Sequence, residues 1–258
     1  MARTVRLSAN LGFLWSDRPL LSAIRAAHTA GFEAVELHWP YDLPAAEVAA
    51  VLGEVAMPVL GLNTRRGDTA AGDNGLSALP GRENEARAAI EEAFDYGARI
   101  GARAVHVMAG FASGPEAEET FRANLAYAAD KAAAAGMGVL LEPLNRRDAP
   151  GYFLTGARQA AALIQEIGRD EIRIMFDCYH LQIMEGDLTK LYEEVGPLIG
   201  HIQFAAVPSR AEPDEGEIAY DRLLPALAAR GYTGYFGAEY RPRAGTDEGL
   251  GWLGLFED

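Results

Sequence analysis

Apolar runs of five or six residues recur eight times along the chain. They fall at 5–9 (VRLSA), 33–38 (EAVELH), 57–62 (MPVLGL), 103–108 (RAVHVM), 138–142 (GVLLE), 172–177 (IRIMFD), 199–203 (IGHIQ) and 234–239 (GYFGAE). Their length and aliphatic content predict strands. Between them, alanine and leucine repeat at helical spacing, as in 19–30, 82–100, 116–135 and 156–167. Gly31, Gly101, Gly136 and Gly231 stand between a helix and the next strand, where glycine closes the helix in a left-handed conformation. Eight strands alternating with helices over about 250 residues predict a (β/α)8 TIM barrel of the α/β class. A doubly wound sheet is the alternative, but no glycine-rich phosphate loop follows the first strand. No linker or low-complexity tract divides the chain, so residues 1–258 are read as a single domain. Longer connections fall at 63–81 and 205–217. The first is polar and glycine-rich, and is a candidate lid.

Four of the later runs end in an oxygen donor: Glu142, Asp177, Gln203 and Glu239. A desolvated carboxylate is costly unless compensated, so acids are scarce in buried strands. Strand residues alternate faces, which puts Asp177 with Met175, Gln203 with His201 and Glu239 above Gly237. Ile174, Phe176, Ile202, Phe236 and Ala238 then face the helix layer. All four donors can therefore enter the barrel mouth at the C-terminal strand ends. A ring of hard oxygens there suits a divalent cation, Mg²⁺ or Mn²⁺.

Composition narrows the partners. Hydrophobic residues make up 49% and charged residues 23%, and the formal charge is −14. That charge opposes binding to a phosphate polymer, so nucleic acid is not an expected partner. No apolar run reaches the ~18 residues of a membrane helix. The N-terminus reads as a first strand rather than a secretion signal. Cys178 is the only cysteine, which fits a reducing cytoplasm. Nothing in the sequence specifies an oligomeric state.

Longer motifs carry a family resemblance. LEPLNRRDAPGYF (141–153), MFDCYHLQIMEGDL (175–188), HIQFAAVPSRAEPDEGEI (201–218) and GAEYRPRAGTDEGLGWL (237–253) resemble the hydroxypyruvate isomerase family of xylose-isomerase-like barrels, which includes 2-oxo-tetronate isomerases. SANLGFLW (8–15) and VELHWPYD (35–42) extend the match over nearly the whole chain. The resemblance implies metal ligands at Glu142, Asp177, Gln203 and Glu239, with Glu142 and Glu239 as acid/base residues. It also implies that His180 donates to a substrate oxygen. Gln203 stands where related sugar epimerases usually have histidine, which favours an acid isomerase over a ketose 3-epimerase.

The implied reaction moves a carbonyl along a short acid, hydroxypyruvate to tartronate semialdehyde or a related small 2-oxo or 2-hydroxy acid, through an enediolate. A 2-oxo-tetronate isomerase and a ketose 3-epimerase are the alternatives. An apurinic endonuclease on the same barrel is disfavoured by five histidines and the acidic charge. A carboxylate substrate calls for a guanidinium. Arg210, seven residues past Gln203, is the first candidate and Arg66 the next, ahead of Arg65, Arg147 and Arg241. His38 and His106, near strand ends, are read as hydrogen-bonded packing residues, with a place in the pocket lining as the alternative, His201 as an interior residue below Gln203, and His28 as structural. Glu36, inside the second strand, needs a partner, and is read either as support behind the metal ligands or as half of a plain salt bridge. Cys178 is read as a buried filler, and Asp187, rather than Glu185, as a helix cap near the EGDL stretch.

Overall fold

The computed structural model describes residues 5–256. Its strands are β1 (Leu7–Asn10), β2 (Ala34–Glu36), β3 (Leu62–Asn63), β4 (Ala104–His106), β5 (Gly138–Leu141), β6 (Ile172–Asp177), β7 (Ile199–Phe204) and β8 (Phe236–Ala238). Between them run α1 (Leu20–Thr29), α2 (Ala45–Glu54), α3 (Glu83–Ile100), α4 (Pro115–Ala135), α5 (Ala157–Ile167), α6 (Cys178–Met184), α7 (Leu188–Val195) and α8 (Tyr220–Ala229). All pairings are parallel, in the order β2-β1-β8-β7-β6-β5-β4-β3. The sheet closes on itself, because Val35 N–H donates to Pro58 O, Leu60 N–H to Val35 O and Leu37 N–H to Gly61 O. That closure gives a barrel and rules out the doubly wound alternative.

Every expected strand overlaps its run, with β1, β3 and β7 reaching one residue past its end, and α3 and α4 end on Gly101 and Gly136 with φ of 69° and 65°. Glycine enters that left-handed region without a Cβ penalty. The outer core takes Val105, Val139, Leu141, Ile174, Phe176, Ile202, Phe236 and Ala238, all fully buried against the helices. Ala104, Leu140 and Met175 form a separate small cluster inside the barrel. On the β4–β5–β6 side the inward residues below the catalytic end are thus small or apolar. One expectation is corrected here. Asp187 precedes α7 but makes no side-chain cap. Glu185 instead accepts from Ala157 N–H at 2.7 Å and caps the neighbouring α5. Among the described residues no helix is long and apolar enough to cross a membrane.

Candidate active site

Glu142 is the first residue beyond β5, Asp177 ends β6, Gln203 is next to last in β7, and Glu239 follows β8. All four are buried. An oxygen of Glu142, an oxygen of Asp177 and a ring nitrogen of His180 lie within 4.8 Å of one another. Glu239 is held differently. Its Oε1 accepts from Asn10 Nδ2 at 2.8 Å and lies 3.1 Å from His38 Nε2, and its Oε2 accepts from Arg210 at 2.9 Å. The same guanidinium stands 3.9 Å from Asp177 Oδ2 and 3.7 Å from Asp148 Oδ2. Arg210 therefore ties Glu239 to the other acids instead of projecting freely. Its backbone, at φ 56°, folds back across the mouth, and its guanidinium stacks between Phe13 and Tyr179 at 4.7 and 4.9 Å.

Asp177 Oδ2 and Gln203 Oε1 are buried acceptors with no donor. Such atoms are rare because each forfeits its hydration. Asp177 and Gln203 are register partners across β6 and β7. Two unpartnered oxygens on adjacent strand ends, one of them on an acid grouped with Glu142, fit a hard divalent cation, which accepts several oxygen ligands. The charge balance agrees. Burial, and then the Glu239 and Asp177 carboxylates, push the Glu142 carboxyl well up. Burial and Glu239 do the same to Asp177, which rises to about 7. Burial also acts against Glu239, but the His38 hydrogen bond and the Arg210 charge outweigh it and hold that carboxyl low. One guanidinium does not neutralise three carboxylates, so the mouth carries room for added positive charge.

His180 has a defined tautomer. Its Nδ1 accepts from the Asn145 backbone N–H at 3.0 Å and lies 2.8 Å from Asn145 Nδ2. The ring proton of the neutral form must then sit on Nε2. Burial, followed by the Arg210 charge, lowers His180 to about 3, so the ring stays neutral. Nε2 faces Glu142 Oε1 and Asp177 Oδ2 at 3.6 Å each. A protonated nitrogen has no lone pair to give a metal, and it serves as a hydrogen-bond donor instead. Asn145 is fixed in turn, its Oδ1 accepting from the N–H groups of Arg147 and Asp148. Asp148 accepts from Tyr179 Oη at 2.8 Å.

Of the two readings of His38 and His106, the structure bears out the alternative, since both line the cavity rather than serving only as packing. His38 touches Glu239, and His106 Nδ1 lies 3.5 Å from Glu142 Oε2. Burial lowers His106 to about 4. Strand parity carries the missing signal, since His38 shares the inward face of Glu36 and His106 that of Ala104. Asn10 and Asn145 escaped sequence reasoning. His201 lies in the barrel interior below Gln203, as expected, and Cys178 is fully buried at the start of α6.

The mouth opens into a cavity of about 410 Å³ lined by Phe13, Trp39, Asn63, Arg66, Glu142, His180, Arg210, Glu239 and Arg241, among others. The 63–81 connection contributes Arg66, Thr69, Gly72, Asp73 and Asn74 to its wall. Arg66 stacks on Trp39 at 4.2 Å. Arg65 points elsewhere and pairs with Glu92, and Arg147 does not line the cavity. A larger cleft of about 690 Å³ beside the start of α4 contains none of the convergent acids.

Residues 24–255 match the family model described as "Xylose isomerase-like TIM barrel". The chain is 46% identical over 253 residues to the 2-oxo-tetronate isomerase of Cupriavidus necator, covering 96% of this chain and 97% of that one. It is 37% identical over 254 residues to the hydroxypyruvate isomerase of Escherichia coli, covering 96% and 98%. A Brucella melitensis structure described as an AP endonuclease, family 2, superposes with a TM-score of 0.94 at 41% identity, covering 98% of this chain and all of the other. Full-length matches at this identity, on a closed barrel with buried acids at its C-terminal mouth, make this chain an isomerase of the hydroxypyruvate and 2-oxo-tetronate isomerase family within the xylose isomerase-like TIM barrels.

Proposed function

We propose that the enzyme interconverts a short 2-oxo acid and its 2-hydroxy aldehyde isomer by proton transfer through an enediolate. The observation that carries this reading is the pair of glutamates, Glu142 and Glu239, on well-separated barrel strands in opposite electrostatic states. Glu142, Asp177, Gln203 and Glu239 would hold a Mg²⁺ or Mn²⁺ ion. Bound there, that ion would neutralise charge developing on the substrate's oxygens. Glu239, kept ionised by Asn10, His38 and Arg210, is the carbon base. For hydroxypyruvate it removes a C3 proton and returns it to C2, giving tartronate semialdehyde. Glu142 and the His180 Nε2–H serve the oxygen side, where a proton passes from the C3 hydroxyl to the C2 oxygen. The neutral imidazole donates a hydrogen bond without adding a charge. Arg66, stacked on Trp39 and open to the cavity, meets the substrate carboxylate, with Arg210 behind it spanning Glu239 and the substrate.

A four-carbon 2-oxo-tetronate is the second reading. It is favoured by the 46% identity to a 2-oxo-tetronate isomerase. A DNA-repair activity is disfavoured by the −14 charge. The test is turnover of metal-loaded enzyme on hydroxypyruvate, tartronate semialdehyde, 2-oxo-tetronates and free ketoses. The acids should dominate, because a guanidinium left without its carboxylate penalises an uncharged sugar. Faster turnover of free ketoses would replace the acid reading with an epimerase.

A further inference from the structure

Below the mouth lies a second polar cluster inside the barrel, on strands β2, β1, β8 and β7. Glu36 on β2 is buried, and its carboxylate crosses the interior to reach β7. The crossing is open only because the inward residues between are small. Ser8 on β1 and Gly237 on β8 are register partners, and Gly237 pairs in turn with Gln203. A Cβ on Gly237 would stand 2.2 Å from Glu36 Oε1 and 2.8 Å from His201 Nε2, so no other residue leaves the passage clear.

We infer that Glu36 is a positioning residue, which turns the carboxamide oxygen of Gln203 toward the metal ion that the proposed function requires. This rests on the metal reading above. Glu36 Oε2 accepts from Gln203 Nε2 at 2.7 Å, and Oε1 accepts from Ser8 Oγ at 2.6 Å. His201 Nε2 stands 2.9 Å from Oε1. A carboxylate only accepts, so the Gln203 amide must present its nitrogen to Glu36. Its oxygen is then aimed away from Glu36 and is left buried without a donor. A plain buried pair between Glu36 and His201 would fix Glu36 equally well but would leave the Gln203 amide free to flip. The bond from Gln203 is what selects one face. An outer hydrogen bond of this kind both orients a metal ligand and raises its basicity. Its removal typically costs about 10–100-fold in metal affinity.

The experiment is a double-mutant cycle read in Mn²⁺ affinity of metal-stripped protein, by calorimetry. It uses wild type, Glu36→Met, Gln203→Met and the double variant, with thermal unfolding as the check on folding. Glu36→Met should weaken Mn²⁺ by about 10–100-fold. In the Gln203→Met background the same change should cost nothing further, because Glu36 then has no ligand to orient. Losses that add, or a Glu36→Met protein within twofold of wild type, would overturn the inference while leaving the metal reading intact. If Glu36→Met fails to fold, Glu36→Gln carries the same cycle, since an amide accepts either orientation of Gln203 and no longer imposes one. A wild-type chain that takes up no Mn²⁺ would instead remove the metal reading, and this inference with it.

Discussion

The two walls of the mouth are built from the same residue types and behave oppositely. On the β8–β1–β2 side, Glu239 meets Asn10 and His38 at Oε1 and Arg210 at Oε2, which keeps one lone pair free. On the β4–β5–β6 side, Glu142 and Asp177 face His106 and His180 across gaps of about 3.5 Å and have few donors. Burial is nearly equal on both sides, so donor supply decides which carboxyl keeps its charge. One wall stores a ready base. The other waits for a cation.

Removing the ionisable group on either wall tests this contrast most severely. Glu239→Gln and Glu142→Gln should each fold and lose about 10²–10⁴ in turnover, the usual worth of a general acid or base. Near-normal turnover in both would transfer the proton to another group, with His180 the first suspect. His180→Ala comes next. It should cost about 10²–10³ in kcat, the range for losing one donor at a developing oxyanion. Mn²⁺ affinity should stay within a few-fold, because the ring proton on Nε2 bars it from ligation. A collapse of Mn²⁺ affinity in that variant would make His180 a metal ligand.

The smallest effect is a pH dependence. Asp177 stands at about 7 in the folded, metal-free protein, above the ~3.9 of an exposed aspartate. The stability lent by its extra proton is full below the unfolded value and is lost as pH rises through 7. A cation takes that proton's place. The rise in unfolding temperature on adding Mn²⁺ should therefore be larger at pH 8 than at pH 5. A flat or reversed trend would separate Asp177 from the metal.

The parity of short apolar runs made the barrel and its four strand-end donors readable from the sequence, since both follow from local alternation. The donors that distinguish the two walls were not readable in the same way. Asn10 meets Glu239 across 229 positions of chain, and only the closure of the barrel brings β1 beside β8. Asn145 was hidden because its effect is exerted through the tautomer of His180, 35 residues away. Arg210 was expected to face substrate. Its loop turns back at positive φ, so it bridges the acids as well. His38 and His106 lay on legible inward positions, but a histidine on a strand is a common packing residue, and the alternation alone did not separate the two roles.

The mouth cavity of about 410 Å³ has the size of a site for a much larger ligand than a three- or four-carbon acid. Most of its wall, including Trp39, Arg66 and Asn74, belongs to connections rather than to strands. Substitutions at Trp39, Arg66 or Asn74 therefore reshape the rim without moving the strand ends that aim Glu142 and Glu239.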